Sequence, residues 1–456
     1  MTGKELILNI LKRQPVERPA WVPFVGCHGG YLIGETATAQ LQSSDLLVEG
    51  LRQARARYQP DGLPIAFDLQ IEAEVLGCEL KWADEVPPSV VSHPLTTQTL
   101  AEMPLLDPAA GRIPLVLEAL DRLKREMGDE VALYGLICGP FTLALHLRGN
   151  EIFLDMYDDE EKVAQLIDFA ADRAVEMAGY YLDHGADVIA VVDPMTSQIS
   201  ADHFETFVAP GLNKVFDAIR ARGGLSSLFV CGDVTRNLEV MCRTRADNIS
   251  VDEQIDMARL KQLADAENKS IGGNMKLTSV LLLGKPDDAR REAISIMDQV
   301  GDSSFVLSPG CDLPYATPPE NLEAAGEVVY DAYQRDVART AKYVAETDTF
   351  DDIQVPDYDG NEAVVLDVIT LDSTSCAPCQ YMMEAVNRAA QTTSVKTYIN
   401  EHRIKVREGL GMMQKLGVKN LPTICIDGAV AFASIIPDQR TLVTAIENRA
   451  KQKWAV

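Results

Sequence analysis

The sequence predicts an α/β protein, a (β/α)8 barrel of the TIM type followed by a small α/β domain. Three observations carry this. Short β-branched runs alternate with long amphipathic stretches from residue 20 to about residue 310, and there are eight of them, the number that closes a parallel barrel. These runs are apolar at successive positions, as strands covered by helices on both faces are. After the helix that ends near residue 346 the composition changes, and an acidic stretch leads into a further strand and helix.

The elements follow in order. MTGKELILNILKRQPVERP opens the chain with an amphipathic helix whose apolar residues at helical spacing are Leu6, Ile7, Ile10 and Leu11. The eight strand candidates are Trp21–Val25, Leu63–Phe67, Val131–Leu136, Asp187–Val192, Ser227–Val230, Asn248–Val251, Ser270–Gly272 and Ser304–Leu307. Between the third and fourth, Val163, Leu166, Ile167, Ala170, Ala174 and Met177 form one helical stripe. Acidic residues 158–161 at its start suit the helix dipole, and Gly185 marks its end. A last barrel helix spans Asn321–Glu346. The domains expected are therefore 1–345 for the barrel, 346–360 for an acidic linker and 361–456 for the small domain.

Composition excludes several function classes. A chain of 456 residues with net charge −26 lacks the basic face that nucleic-acid readers need. The same charge disfavours an anionic membrane surface, and no run approaches the roughly 18 apolar residues that span a bilayer. The first helix has neither the apolar core nor the cleavage site of a signal peptide. Nine cysteines, odd in number and scattered, suit reduced thiols better than a disulfide framework. A cytoplasmic protein is expected.

Two cysteines bear on chemistry. Cys231 in SSLFVCGD and Cys311 in SFVLSPGC each lie just past a strand, on the rim where barrel enzymes place their active sites. A buried core thiol is the plainer role for either alone. Their shared rim position, each beside a glycine (Gly232, Gly310), points instead to a site for a thiophilic metal. A catalytic zinc takes about three protein ligands, so the pair is incomplete. Other rim residues are His28, Asp68, Asp193, Asp252 and Asn274, each also suited to capping a helix or bonding a loop.

The segments GPFTLALHLRG (139–149), VVDPMTSQIS (191–200), FVCGD (229–233), ISVDE (249–253), GGNMK (272–276) and SPGCDLPYATPPENL (308–322) resemble the uroporphyrinogen decarboxylase superfamily. Within it the likeness is to the zinc-dependent methylcobamide:thiol methyltransferases of the coenzyme M type, over roughly residues 1–340. That branch binds zinc through a His-x-Cys pair and a distant Cys. The resemblance implies Cys231 and Cys311 as ligands, but the histidine position holds Phe229. His28, in VGCHGG, would restore two sulfurs and one nitrogen; His146 and His184 are weaker candidates. The resemblance further implies a methylated corrinoid as co-substrate, a corrinoid protein as partner and a small thiol or methyl-group substrate. Asp193 and Asp68 are the candidate catalytic carboxylates. Two rival functions stand beside methyl transfer. One is porphyrinogen decarboxylation, with Asp68 as its central acid; it needs an Arg-rich segment where residues 16–35 carry Arg18 alone. The other is a non-catalytic redox or corrinoid-docking scaffold.

Near the C-terminus, strand, CAPC and helix follow one another, which places Cys376 at a helix N-terminus as the attacking thiolate and Cys379 as its resolving partner. LGVKNLPTICIDG (416–428) resembles the thioredoxin segment in which a cis-proline faces the active disulfide, which implies that role for Pro422. A half zinc site and an inert fold are the alternatives. A thioredoxin-like domain over 361–456 is expected.

Overall fold

The computed structural model describes residues 1–301, 303–340, 349–374 and 376–454, and the chain divides into two compact units. In the first, eight strands form one sheet: β1 (Ala20–Trp21), β2 (Gly62–Pro64), β3 (Ala132–Cys138), β4 (Val188–Val192), β5 (Leu225–Val230), β6 (Asn248–Val251), β7 (Ser270–Met275) and β8 (Phe305–Pro309). Their order is β1-β8-β7-β6-β5-β4-β3-β2, all neighbours parallel. Asp61 joins the two ends: its N–H donates to the Trp21 carbonyl (2.9 Å) and its carboxylate accepts from the Trp21 N–H (2.8 Å). The result is a nearly closed (β/α)8 barrel.

All eight expected strands are present, the first two shorter than expected. Pro23 ends the first, since proline carries no N–H for a ladder bond. The barrel interior is filled by Val22, Phe24, Phe67, Tyr134, Leu136, Ala190, Val192, Phe229 and Val306. The helix Gly3–Leu11 adds its four buried apolar residues to this cluster from the N-terminal end of the strands. Nine residues are too few for an independent helix. Burial of Leu6, Ile7, Ile10 and Leu11, at about 1.5–3 kcal/mol each, holds it, with a Thr2–Glu5 capping box at its start.

The expected helix from Asn321 is two helices, Pro319–Tyr330 and Ala332–Thr340. Asp331 separates them with an extended backbone, and its carboxylate accepts from the N–H groups of Tyr333 and Gln334 as a new N-cap. Residues 341–346 lie outside the described residues. No helix among those described is long and apolar enough to cross a membrane.

The second unit holds a four-stranded sheet of β9 (Val364–Thr370), β10 (Thr397–Arg403), β11 (Thr423–Ile426) and β12 (Ala429–Ala433), in the order β10-β9-β11-β12. β9 and β10 are parallel; β11 is antiparallel to β9 and β12. Alternate residues of β9 face opposite ways. Val364, Leu366 and Val368 pack against the helices Ala377–Thr392 and Gln439–Trp454, while Ile369 faces Met412 of the helix Arg407–Lys415.

The acidic stretch expected as a free linker is partly docked. Phe350 is buried, and with Ile353 it covers Gly411, where a side chain would collide with both. Asp352 forms two hydrogen bonds with the Arg407 guanidinium, 2.9 Å each. Tyr358 donates to the buried carboxylate of Asp367 (2.8 Å) and its ring lies over Gly428. Three apolar or aromatic residues among the acids thus anchor 349–360 to the small unit. Residues 346–348 lie outside the described residues.

Candidate active site

β5 and β8 carry Cys231 and Cys311 to the C-terminal rim, where the two thiols hydrogen-bond each other. Both are half-buried and pack on the barrel-filling cluster. The bond to Cys311, then burial, then the charges of Asp252 and Asp312 push the Cys231 thiol well above its ordinary range. The flanking glycines are required. Gly232 adopts φ +91°, and a Cβ at Gly310 would approach the Glu253 nitrogen to 2.6 Å.

Asp312 follows β8, and the other acids beside this pair come from the loop after β6. Asp252 is buried, which raises its pKa; it accepts from the N–H of Gly232 (3.0 Å) and of Gln254 (3.1 Å). It thereby fixes the turn that carries Cys231. Glu253, absent from the sequence-based candidates, is pushed up to about 8 by burial and by Asp252, and it accepts from the Leu277 N–H at 2.5 Å. Only the geometry reveals it, since one Glu in a chain with 68 acidic residues carries no signal. Asn274 ties the same loop to β7 by donating to the carbonyls of Asp252 (2.9 Å) and Ile255 (2.8 Å).

The remaining candidates are engaged elsewhere. His28 does not offer a free imidazole: one ring nitrogen bonds the Tyr315 carbonyl (2.8 Å) and the other the Tyr58 hydroxyl (2.7 Å). Burial lowers its pKa to about 4. Asp193 is fully buried and caps the helix Pro140–Arg148, accepting from the N–H groups of Phe141 (3.1 Å) and Thr142 (2.8 Å) and from the Thr142 hydroxyl (2.6 Å). Burial raises its carboxyl to about 6. Asp68 is ion-paired to Arg112, which also bonds Glu74 (2.7 Å) and stacks on Trp82. Glu72, a second acid that sequence reasoning passed over, is buried, accepts from the Cys138 N–H (2.9 Å) and is raised to about 7 by desolvation. Buried His146 falls to about 3, and His184 pairs with Asp121 at the surface.

For a metal, the donor chemistry fits only in part. Two adjacent sulfurs suit a soft ion such as zinc. Among the described residues, however, no cluster of three or more His, Cys, Asp or Glu is arranged to hold one. Position 229 contributes an aromatic wall instead, its ring 5.0 Å from Phe24 and 5.9 Å from Phe67.

In the small unit, Cys376 and Cys379 are joined as a disulfide, with Cys376 at the N-cap of Ala377–Thr392. Pro422 follows a cis peptide bond and precedes β11, whose Thr423 pairs with Ile369. Pro422 therefore lies at the sheet end from which β9 leads to CAPC.

Residues 2–332 match the family described as uroporphyrinogen decarboxylase (URO-D), and the chain belongs to it. It is 32% identical to a methylcobamide:CoM methyltransferase, MtbA, of Methanosarcina acetivorans, across 71% of this chain and 96% of that protein. It is 28% identical to a uroporphyrinogen decarboxylase of Prochlorococcus marinus, across 61% of this chain and 81% of the other. A solved methyltransferase from Methanosarcina mazei shares the fold with a TM-score of 0.67 and 25% identity, covering 75% of this chain and 100% of its own.

Proposed function

We propose that the barrel transfers a methyl group between a methylcobamide, presented by a corrinoid protein, and a small thiol or related acceptor, with zinc held by Cys231 and Cys311. One observation carries the reading: the two thiols meet at the active rim of a barrel 32% identical to a methylcobamide:CoM methyltransferase. Bound zinc would lower the pKa of a thiol acceptor, so that the acceptor attacks as thiolate at neutral pH. The methyl group leaves the corrinoid without its bonding electrons, giving a thioether and cob(I)amide, and the thiol proton passes to solvent. The protein's own part is positional. Asp252 holds the Cys231 turn, and the rings of Phe24, Phe67 and Phe229 floor the site with a dry apolar surface that favours an apolar acceptor over a small anionic one. The third zinc ligand is neither residue 229 nor His28 in its present hydrogen bonds.

The decarboxylase reading is the less supported of the two. Asp68 is neutralised by Arg112, and Arg18 is spent on Asp61 (2.7 Å), at the N-terminal end of β2. The small unit is read as a thioredoxin-like dithiol module, supported by the strand–CAPC–helix order and by Pro422 at the same sheet end. The test is anaerobic zinc quantitation on the reduced protein and on Cys231→Ala and Cys311→Ala, paired with methylcobamide demethylation against a panel of thiols. One zinc per chain, lost in both variants together with activity, is expected. Substoichiometric zinc unchanged by Cys311→Ala would sink the proposal.

A further inference from the structure

The opposite face of the barrel holds a second concavity. Its walls are the segments that precede β5, β6 and β7 together with the end of the N-terminal helix, and its volume is about 390 Å³. Lys12, Arg13, Arg220, Arg245 and Lys269 line it, with Asp247 as the lining carboxylate. In a chain of net charge −26, five converging cations are a local reversal of sign.

Internal pairing accounts for part of this charge. Arg13 bonds Asp265 (2.7 Å), Arg245 pairs with Asp217, and Arg220 reaches Asp217 (3.4 Å) and Asp247 (3.3 Å). Two ammonium groups remain over. Lys12 is exposed and forms no ion pair. Lys269 is only 8% exposed, yet its Nζ donates to the Ala246 carbonyl (2.6 Å) and meets no carboxylate within ion-pair distance. Burial lowers its pKa, with Asp247 and Glu267 acting the other way. A buried ammonium without a counter-ion is costly, and an anion entering the concavity removes that cost.

We propose that this concavity binds a small polyanion of the phosphoryl class, a di- or triphosphate, on the face of the barrel opposite Cys231 and Cys311. Guanidinium forks bind phosphoryl oxygens in pairs, and each phosphoryl group offers several acceptors to donors arriving from different loops. The volume lies within the range of small-molecule sites, about 300–1,000 Å³, so it exceeds the needs of a single phosphate. Such a ligand would tie together the loops that enter β5, β6 and β7, the first of which leads to Cys231 at its far end.

The test is calorimetric titration of the full chain with inorganic tripolyphosphate in metal-free buffer. One saturable site is expected, weakening with ionic strength. Lys12→Gln combined with Arg245→Gln, both at exposed positions, should weaken it by about tenfold or more. Lys269→Met should do the same if it folds, and Cys231→Ala should leave binding unchanged. Absence of saturable binding, or equal affinity in the Lys12/Arg245 variant, would overturn the assignment. Citrate binding as tightly would overturn the phosphoryl class, and orthophosphate binding as tightly would overturn the polyanion.

Discussion

Phe229 points into the barrel two residues before Cys231, so the two side chains share one face of β5. Where the resemblance puts a zinc ligand, this chain has a buried ring, which supplies packing in place of a coordination bond. Phe229→His should therefore raise zinc affinity, measured by competition with a chromogenic chelator, while it lowers turnover on apolar thiols and destabilises the metal-free protein by about 2–4 kcal/mol. A rise in both affinity and turnover would mean that the native site is merely impaired. Asp193 allows a pH test. Its carboxyl ionises near 6 in the folded chain, and near 4, the ordinary aspartate value, when unfolded. Between these values the folded state holds a proton that the unfolded state has released. The contribution of Asp193 to stability therefore falls as pH rises through that window, by about 2–3 kcal/mol, and is level above it. Asp193→Asn, which cannot titrate, should show a smaller fall between these pH values in urea melts, and an identical slope would refute this role. Residue type and rim position make the two cysteines legible in sequence. The commitments of His28, Asp193 and Asp68 are not, because each depends on partners 30 to 287 positions away.

At the scale of elements, eight strands are legible because each is a short β-branched run between amphipathic helices, a pattern that needs no partner to be read. The docked segment 349–360 is illegible for the opposite reason. Its acids dominate the composition, while its attachment rests on Phe350, Ile353 and Tyr358, spaced without a period. Magnitudes decide which contacts hold it. The Asp352–Arg407 pair is exposed, and such pairs contribute about 0–1 kcal/mol. Phe350 is 7% exposed, and truncating a buried Phe costs about 3–5 kcal/mol. Limited proteolysis should accordingly cut Phe350→Ala near residues 349–360 much faster than wild type, and Asp352→Ala at nearly the wild-type rate. Equal protection in both variants would show that the aromatic contact does not hold the segment.

At the scale of the whole molecule, the chain carries two cysteine pairs, one in each unit. Cys231 and Cys311 are free thiols close enough to hydrogen-bond, and Cys376 and Cys379 already form a disulfide. Neighbouring thiols can be oxidised to a disulfide, and a site that needs both sulfurs fails as soon as they bridge. On the proposed reading of the small unit as a dithiol module, its reduced form would reverse this. The Cys376 thiolate would attack the barrel disulfide and displace one sulfur, and Cys379 would then attack the mixed disulfide. Two electrons pass from the small unit to the barrel, which ends with two thiols, and a small external thiol must reduce Cys376–Cys379 again. Covalent fusion makes the exchange intramolecular, at an effective concentration of about the millimolar range, above that of most separate partners. The prediction is that Cys376→Ser with Cys379→Ser has wild-type methyl-transfer activity before oxidation. After mild oxidation it should recover more slowly than wild type in the same small thiol. Recovery at equal rates would reject the protective role and leave the small unit as a reductase acting on something other than its own barrel.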